Sequence, residues 1–290
     1  MDRRTLLKTS LLGAAVFALR PAMARAAGAV DVAGKLAALE RKHGGRLGVA
    51  ILDTGDGRRH GHRAGERFLM CSTHKLLTVG AVLSRVDRGE ERLDRRIVFG
   101  RDVVLSWAPV TSHRAGAPGM TVAELCEAAI TVSDNTADNL LLESLGGPPA
   151  VTAFARKLGD PLTRLDRFEP ALNVGVPGDL RDTTTPNVML GDLQALVLGE
   201  VLSPASRAQL AAWLRETRTG LDQLRAGVPA GWQAGDKTGS GPHGENNDIA
   251  VFWPPQRKPV LATAFYINPA ASGEARRAVL AEVGRIVASP

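Results

Sequence analysis

The sequence predicts a two-lobed α/β fold: an antiparallel sheet, flanked by helices from the two ends of the chain, with an all-α lobe inserted. Strand-like patterns occur near both ends of the 290-residue chain, helical periodicity fills the middle, and a helical segment closes the chain. Strands that bracket a helical segment are typical of one discontinuous α/β layer with an insertion. We therefore expect residues 27–290 to form one domain, with 27–70 and 220–290 in the α/β lobe and about 71–219 in the all-α lobe.

The individual elements follow from their periodicity. Apolar residues recur on one face of a predicted helix over 30–43. They alternate over 47–51, which predicts a strand, and a more polar strand is predicted to return over 58–63 after a glycine turn. The remaining predictions are helices at 76–86, 122–130, 137–145, 151–158, 190–197 and 206–216, strands at 232–237, 249–253 and 260–267, and a closing helix at 274–287.

Residues 1–26 are expected to form an export signal that is not part of the fold. An arginine pair at 3–4 precedes an apolar stretch at 11–19, which is too short for a permanent membrane span. Small residues follow, and cleavage after Ala24 or after Ala26 fits the pattern. The arginine pair is typical of twin-arginine export. The segment predicts a periplasmic protein without a stable membrane anchor.

The charge of the chain excludes one class of partner. The formal net charge is +6, of which the predicted signal supplies +4, so the remainder carries about +2. No basic stripe with interleaved aromatic residues is present in the sequence. Because nucleic-acid binding requires such a basic surface, we expect no nucleic-acid partner.

Two cysteines, Cys71 and Cys126, are present in the chain. Disulfides are common in exported proteins. A protein that uses the twin-arginine route, however, folds before export in a reducing compartment. We therefore expect both thiols to be free and mostly buried.

The stretch Cys71-Ser72-Thr73-His74-Lys75 lies between apolar residues and opens a predicted helix. On a helix, residues i and i+3 share a face, whereas i and i+2 point apart. Lys75 can therefore lie beside the Ser72 hydroxyl, and His74 is expected only to pack against the turn. A serine at a helix N-terminus and a lysine with a lowered pKa form a plausible nucleophile and base. The structural alternative is an N-capping serine with a lysine that reaches solvent.

A second polar stretch, Ser133-Asp134-Asn135, separates two predicted helices. The structural interpretation is an interhelix turn in which Ser133 or Asp134 caps the second helix. In the functional interpretation, the hydroxyl of Ser133 relays a proton, and Asn135 binds an amide group of the substrate. The spacing alone does not separate these interpretations.

A third stretch, Lys237-Thr238-Gly239-Ser240, is expected to lie where a strand ends at Lys237. A strand that runs into a glycine turn would explain it structurally. As a site, Lys237 and Thr238 would hold a carboxylate, and Gly239 would let a substrate approach the backbone closely.

These three motifs occur in the order S-x-x-K, S-D-N and K-T-G, and this ordered set resembles that of class A serine β-lactamases and penicillin-binding proteins. The resemblance covers nearly all of the chain after the signal. It implies a two-lobed serine β-lactamase-like fold and a monomer that confers β-lactam resistance. The implied reaction is hydrolysis of the β-lactam ring of penicillins and cephalosporins through a serine acyl-enzyme. No cofactor or metal is implied, and the histidine pair His60 and His62 lacks the further ligands of a zinc site.

The stretch Glu169-Pro170-Ala171-Leu172-Asn173 matches the E-x-x-L-N element of class A enzymes. In that family the element lies on an Ω-loop, here residues 163–184, and its glutamate and asparagine hold the hydrolytic water. Release of an acyl-serine ester needs such a base and water. The structural alternative is a solvated loop acid. Arg167 and Asp182 match the ion pair of the family's Ω-loop.

The resemblance also implies a role for each catalytic group. Ser72 attacks, and Ser133 with Lys75 returns the proton to the lactam nitrogen. Glu169 activates the water that releases the product. Backbone N–H groups of Ser72 and Ser240 would form the oxyanion hole. Whether Lys75 or Glu169 is the base for acylation is left open.

Several further positions bear on substrate range. Trp107 matches the family's aromatic residue at the cleft mouth, with core packing as the alternative. The Ser240 hydroxyl resembles that of enzymes which handle cephalosporins well. Gly241 stands where some relatives carry a cysteine bonded to the equivalent of Cys71, so carbapenem hydrolysis is not inferred. Arg276 and Arg277 could form a further contact with the substrate carboxylate, or they could lie on a solvated helix face.

Two other functions share part of this pattern. A D,D-peptidase that acts on peptidoglycan stem peptides would carry the first three motifs without the glutamate element. A β-lactam sensor would be acylated once and would be tethered to a membrane. The element at Glu169–Asn173 favours the hydrolase over both.

Overall fold

A five-stranded antiparallel sheet forms the α/β lobe in a computed structural model, which describes residues 31–176 and 178–289. The strand order is β2-β1-β9-β8-β7, and the predicted signal at 1–26 lies outside the described residues. The strands are β1 (Arg46–Asp53), β2 (Arg59–His62), β3 (Phe68–Leu69), β4 (Arg96–Ile97), β5 (Met120–Thr121), β6 (Thr183–Thr184), β7 (Gln233–Ser240), β8 (Glu245–Trp253) and β9 (Val260–Ile267).

Helices cover the sheet and build the second lobe. The first and last of them pack together and against the sheet, so both ends of the described chain belong to one lobe. The helices are α1 (Val32–His43), α2 (Lys75–Asp87), α3 (Val122–Thr131), α4 (Asn135–Leu145), α5 (Pro148–Lys157), α6 (Pro186–Val197), α7 (Pro204–Arg215), α8 (Leu224–Gly227) and α9 (Gly273–Ala288). The two-lobed prediction is confirmed: β1 pairs with β9 along its whole length, which joins the two ends of the chain in one sheet.

The sheet departs from the predicted strands on the side that faces the second lobe. β9 has the predicted bounds, but β7 continues through the K-T-G stretch to Ser240, so the expectation that it ends at Lys237 is wrong. β8 begins at Glu245, four residues before the predicted start at Ile249. The residues at 245–248 are polar yet buried, and they are paired inside the protein. Asn246, for example, donates to Gln223 Oε1 over 2.6 Å. Hydrophobic alternation therefore could not reveal this part of the strand.

The all-α lobe is built around α2, which is buried along most of its length and packs against α3, α4, α5, α6 and α7. A glycine at position 80 permits this packing, since a Cβ on Gly80 would lie 2.9 Å from Leu196 Cδ1. Because α2 follows directly from the stretch that carries Ser72, the core of the lobe fixes the position of that serine. No helix in the described part of the chain is both long and apolar enough to cross a membrane.

Capping residues set the start of the next two helices. Thr121 and Glu124 form a reciprocal capping box at α3. Asp134 caps α4 by accepting from Ala137 N over 2.9 Å. Of the two candidate N-caps that the sequence offered, Ser133 and Asp134, it is therefore Asp134 that caps α4. The predicted free thiols are also confirmed, since Cys71 and Cys126 are unbonded and buried.

Candidate active site

Ser72 lies in a short 3-10 turn, Cys71–His74, that leads into α2. Lys75 Nζ donates to Ser72 Oγ over 3.1 Å, which is the contact that the i, i+3 spacing predicts. Ser72 Oγ in turn donates to Glu169 Oε1 over 3.1 Å. The serine is therefore not an N-cap. Its hydroxyl is held between an ammonium group and a carboxylate.

Lys75 is fully buried, so the alternative of a lysine that reaches solvent is wrong. Its ammonium donates to Asn135 Oδ1 over 2.6 Å and to the carbonyl of Ser133 over 3.0 Å. It also forms an ion pair with Glu169 Oε1 at 3.1 Å. A buried lysine is tolerated only when its charge and its hydrogens are satisfied. These contacts do so, and they place the lysine at the centre of the site.

Ser133 lies between two ammonium groups. Its hydroxyl is 3.3 Å from Lys75 Nζ and 3.0 Å from Lys237 Nζ. The residue has φ +59°, a left-handed conformation that a non-glycine residue rarely adopts. Asp134 holds the turn in place, because its carboxylate accepts from the backbone of Thr111 over 2.9 Å as well as capping α4. The S-D-N stretch is thus both a structural turn and a wall of the site.

Lys237 enters the site from β7 and is also fully buried. Burial and the charge of Lys75 lower the pKa of Lys237 to about 7. The next side chain, Thr238, has its hydroxyl 2.6 Å from that of Thr219. Lys237 and Thr238 therefore lie side by side with Ser133, where a carboxylate could meet all three.

Gly239 is needed for a reason that the sequence did not predict. A Cβ at this position would lie 2.7 Å from Met70 O and 3.1 Å from Ser72 N. The missing side chain therefore lets β7 pack against the turn that carries Ser72. This close packing fixes the distance between the backbone of β7 and that of Ser72.

Glu169 is buried, so the alternative of a solvated loop acid is wrong. Its second carboxylate oxygen accepts a hydrogen bond from Asn173 Nδ2. Its backbone is held by Asn139, whose amide accepts from Glu169 N and donates to Glu169 O, each over 2.9 Å. Sequence reasoning missed Asn139. It lies one helical turn after Asn135 on α4, and that spacing could have indicated that both face the site.

The predicted ion pair of the Ω-loop is present. Arg167 Nε donates to Asp182 Oδ2 over 2.6 Å, and the other carboxylate oxygen accepts from the backbone N–H groups of Asp166 and Arg167. The carbonyl of Asp182 also accepts from Met70 N over 2.9 Å. The two ends of the loop are thereby tied to each other and to the strand that precedes Ser72.

A cavity of about 620 Å³ opens onto these groups. Trp107 stands at its mouth with 55 % of its surface exposed, so the alternative of core packing is wrong. Lys75, Glu169 and Lys237 lie buried beneath the cavity. The predicted site residues that line it are Ser72, Trp107, Ser133, Asn135, Asn173, Thr238, Gly239 and Ser240.

The two arginines of α9, Arg276 and Arg277, have different surroundings. Arg277 lines the cavity and donates to Asp222 Oδ2 over 2.6 Å, whereas Arg276 donates to the backbone carbonyl of Asn268 over 3.2 Å. Sequence reasoning missed the segment before α8, from which Arg218 and Asp222 also reach the cavity wall. That segment has no motif or periodicity to mark it.

His74 does more than pack against the turn, and that part of the prediction is incomplete. Its ring does not bond Ser72 but is fully buried against Asp138, with Nε2 2.8 Å from Asp138 Oδ2. Donor atoms of His74, Asp138 and Glu169 lie within 4.8 Å of one another, the one such group found in residues 31–176 and 178–289. Because the Lys75 ammonium already neutralises Glu169 at 3.1 Å, we assign no metal to this group.

Comparison with known proteins agrees with this geometry. A model of the β-lactamase enzyme family matches residues 31–289. β-Lactamase L2 of Stenotrophomonas maltophilia is 49% identical over 297 residues, covering 99% of this chain and 98% of the relative. β-Lactamase CTX-M-8 of Citrobacter amalonaticus is 47% identical over 257 residues, covering 89% and 88%. Among solved structures, an ancestral (GNCA) class A β-lactamase superimposes with a TM-score of 0.87 at 58% identity, covering 88% of this chain and 98% of that chain.

Proposed function

Because the chain belongs to the class A serine β-lactamase family and hydrolyses β-lactam rings, we propose that Ser72 is its nucleophile. The observation that carries the proposal is the position of the Ser72 hydroxyl, 3.1 Å from Lys75 Nζ and 3.1 Å from Glu169 Oε1. A hydroxyl that is hydrogen-bonded to a potential base can lose its proton as it attacks. Glu169 accepts the hydrogen bond of that hydroxyl and can take its proton directly, whereas Lys75 can serve as the base for acylation only after its ammonium has passed a proton to Glu169 at 3.1 Å.

The substrate docks through its carboxylate and its lactam carbonyl. Thr238 and Ser240 line the end of the cavity that would hold the carboxylate, and the buried ammonium of Lys237 lies beneath it, 3.0 Å from the Ser133 hydroxyl. Backbone N–H groups of Ser72 and Ser240 are proposed to form the oxyanion hole. Such donors stabilise the charge that develops on the carbonyl oxygen during attack. The packing of Gly239 against Ser72 supports this role, because it fixes the backbone of β7 relative to the backbone of the turn that carries Ser72.

Acylation joins Ser72 Oγ to the carbonyl carbon and breaks the lactam C–N bond. Ser133 is proposed to give its hydroxyl proton to the departing nitrogen. Lys75 Nζ, 3.3 Å away, can replace that proton. The Lys237 ammonium, 3.0 Å from the same hydroxyl, favours negative charge on the oxygen during the transfer.

Deacylation is assigned to Glu169 and Asn173. The carboxylate of Glu169 takes a proton from a water molecule held with Asn173, and the resulting hydroxide attacks the ester carbonyl. The bond to Ser72 Oγ then breaks, Ser72 Oγ takes back a proton from Glu169 at 3.1 Å, and the opened product leaves. The burial of Glu169 next to Ser72 supports this role over that of a D,D-peptidase, which would lack this glutamate, and over that of a sensor, which would stay acylated.

The substrate range that we propose comprises penicillins and cephalosporins. Trp107 at the cavity mouth offers an aromatic surface to the side chain of a substrate, and Arg277, which is paired with Asp222, also lines the cavity. The Ser240 hydroxyl adds a hydrogen-bonding group on β7. Asn135 would hold the amide of the substrate side chain.

We further propose that the enzyme is a periplasmic monomer, exported by the twin-arginine route with residues 1–26 as the signal that is removed after transport. The charge and apolar pattern of that segment support the route. The pairing of β1 with β9 supports an α/β lobe at about 27–70 and 220–290, with the all-α lobe at about 71–219.

The roles are tested by following product release and intact protein mass together with a chromogenic cephalosporin. We expect many turnovers from the native protein and an adduct on Ser72 that decays. Glu169→Gln should be acylated and should then retain the adduct. Glu143→Gln, which alters an exposed acid on α4, is the matched control and should turn over normally. A single stoichiometric burst with a persistent adduct on the native protein would favour the sensor or peptidase instead.

A further inference from the structure

His74 and Asp138 form a buried pair next to the catalytic groups, and the proposed mechanism does not use it. Neither side chain is exposed to solvent. His74 Nδ1 lies 2.8 Å from the backbone carbonyl of Cys71, and Nε2 lies 2.8 Å from Asp138 Oδ2. The other oxygen of Asp138 has no hydrogen-bond partner. The two residues therefore depend on each other to satisfy their polar atoms.

The hydrogen bonds fix how many protons the pair must hold. A carbonyl oxygen can only accept, so His74 Nδ1 must carry a hydrogen. A neutral imidazole would then present the lone pair of Nε2 to an ionised carboxylate at 2.8 Å, which is repulsive. The contact is favourable only if one further proton lies between the two residues. The native pair thus holds one proton between Nε2 and Oδ2 and has no net charge, and the two forms that meet this requirement are imidazolium with carboxylate and imidazole with carboxylic acid. We assign the first of these, an imidazolium and a carboxylate.

The surroundings favour this state. Burial by itself would lower the pKa of His74, but the charge and hydrogen bond of Asp138, together with Glu169, raise it above its ordinary value. Burial likewise opposes ionisation of Asp138, but His74 and Lys75 lower its pKa overall. An ion pair held in this way binds its proton beyond the range in which an isolated histidine loses it.

Charged groups on three other elements of the described chain act on the pair. They are Lys75 from α2, Glu169 from the Ω-loop and Lys237 from β7, with the Cys126 thiol from α3. The two lysines carry the opposite charge to the two carboxylates around them. An extra negative charge on the pair would disturb this balance.

The pair also joins the two elements that hold the catalytic groups. His74 belongs to the turn that carries Ser72, and Asp138 belongs to the first turns of α4. The neighbour of Asp138, Asn139, clamps the backbone of Glu169. A repulsion between His74 and Asp138 would therefore be transmitted directly to the position of the base.

We propose that His74 and Asp138 are positioning residues for deacylation, and that they hold Glu169 in place only while one proton is shared between them. Loss of that proton at alkaline pH pushes α4 away from the turn of Ser72 and slows deacylation. This inference rests on the proposed role of Glu169 as the deacylating base. A displacement of about 1 Å in a catalytic group can slow a reaction by about a hundredfold, so the effect is expected to be between about tenfold and a hundredfold.

The first test observes the proton itself and needs no substrate. Nitrogen-15 NMR of the native protein at about pH 8, above the ordinary histidine pKa of about 6.5, should find both ring nitrogens of His74 protonated. His74→Phe assigns the signal. In Asp138→Asn the amide can donate to Nε2, so the ring should be neutral with hydrogen on Nδ1 alone. A neutral ring in the native protein would overturn the proposal.

The second test follows the decay of the acyl-enzyme against pH. The decay rate of the native protein should fall on the alkaline side, at the pH where NMR finds that His74 loses its proton. In Asp138→Asn that alkaline fall should be absent, because nothing in the pair titrates. Glu143→Gln is the matched control: it removes an exposed carboxylate from the same helix and should keep the fall.

The outcomes separate this inference from the proposed function. An adduct on the native protein that never decays would contradict the role of Glu169, whatever the NMR result. Normal decay with an identical pH profile in Asp138→Asn would contradict the positioning role alone. A purely structural pair would lower the stability of the variant without moving its pH profile.

Discussion

Asn139 holds Glu169 by a reciprocal pair of hydrogen bonds, from Glu169 N to Asn139 Oδ1 and from Asn139 Nδ2 to Glu169 O, each 2.9 Å long. The same helix supplies Asn135 to Lys75 over 2.6 Å. One face of α4 thus positions both candidate bases. The loop base is held through its backbone, which leaves its carboxylate free to contact Ser72 and Asn173.

Asn139→Ala should therefore impair deacylation more than acylation. The loss of two hydrogen bonds is expected to lower the free energy of unfolding by about 1–3 kcal/mol. It should slow the decay of the acyl-enzyme by about tenfold to a hundredfold, because Glu169 is no longer held in register. Rapid-mixing kinetics with intact-mass detection separates the two steps. Slower acylation with unchanged decay would contradict this assignment.

The ion pair of Arg167 and Asp182 should control the order of the Ω-loop rather than the fold. Asp182→Asn removes the charge and leaves one oxygen for the backbone N–H groups. We expect a loss of about 1–3 kcal/mol in the free energy of unfolding, typical of a hydrogen bond to a charged group, and slower deacylation. Hydrogen exchange should increase in the loop while α2 stays protected.

A matched control for that variant lies in the same loop. Asp179 pairs with Arg181 at 2.8 Å, and this pair is more exposed than that of Arg167 and Asp182, since 52 % of the Arg181 side chain is exposed against 20 % of the Arg167 side chain. Because surface ion pairs contribute little, Asp179→Asn should change neither stability nor deacylation appreciably. Equal effects of the two substitutions would mean that burial of Asp182 is not what matters.

Lys237 should make substrate binding depend on pH. Its pKa is lowered to about 7, so above that pH the free enzyme loses the charge that attracts the substrate carboxylate. We expect KM to rise with pH through this region, while the decay rate of the acyl-enzyme does not follow the same titration. In Lys237→Arg the guanidinium stays charged, so KM should no longer rise with pH, even if KM of this variant is higher than that of the native protein at every pH. A rise that persists in the arginine variant would assign it to another group.

The sequence predicted those parts of the fold and site in which the signal is local. β9 was predictable at both ends because its residues are almost all apolar and buried. The contact of Lys75 with Ser72 followed from helical spacing within one turn. The start of β8 was not predictable, because Asn246 and Asn247 are buried polar residues whose side-chain partners, Gln223 and the backbone of Leu69 and Met70, are far away in sequence. Asp138 was missed for the same reason, since its partner His74 lies 64 residues earlier.

Gly239 offers the sharpest test of how the cavity is built. In Gly239→Ala the new Cβ would lie 2.7 Å from Met70 O and 3.1 Å from Ser72 N, so β7 must move away from the turn of Ser72. Overpacking of this kind is expected to cost about 1–3 kcal/mol of stability. Acylation should fall by about a hundredfold, because the two backbone donors of the proposed oxyanion hole separate.

The control for that substitution is Gly191→Ala. Gly191 lies within α6 and does not need a left-handed backbone, and a Cβ added there would meet nothing within 4 Å in the described chain beyond its own helix. Alanine there should leave acylation unchanged and should stabilise the protein by about 0.5–1 kcal/mol, because it removes the entropic cost of a glycine in a helix. Thermal unfolding and burst kinetics on the two variants give both quantities. If Gly239→Ala acylates as fast as Gly191→Ala, the spacing between β7 and Ser72 does not control the reaction, and the oxyanion hole must lie elsewhere.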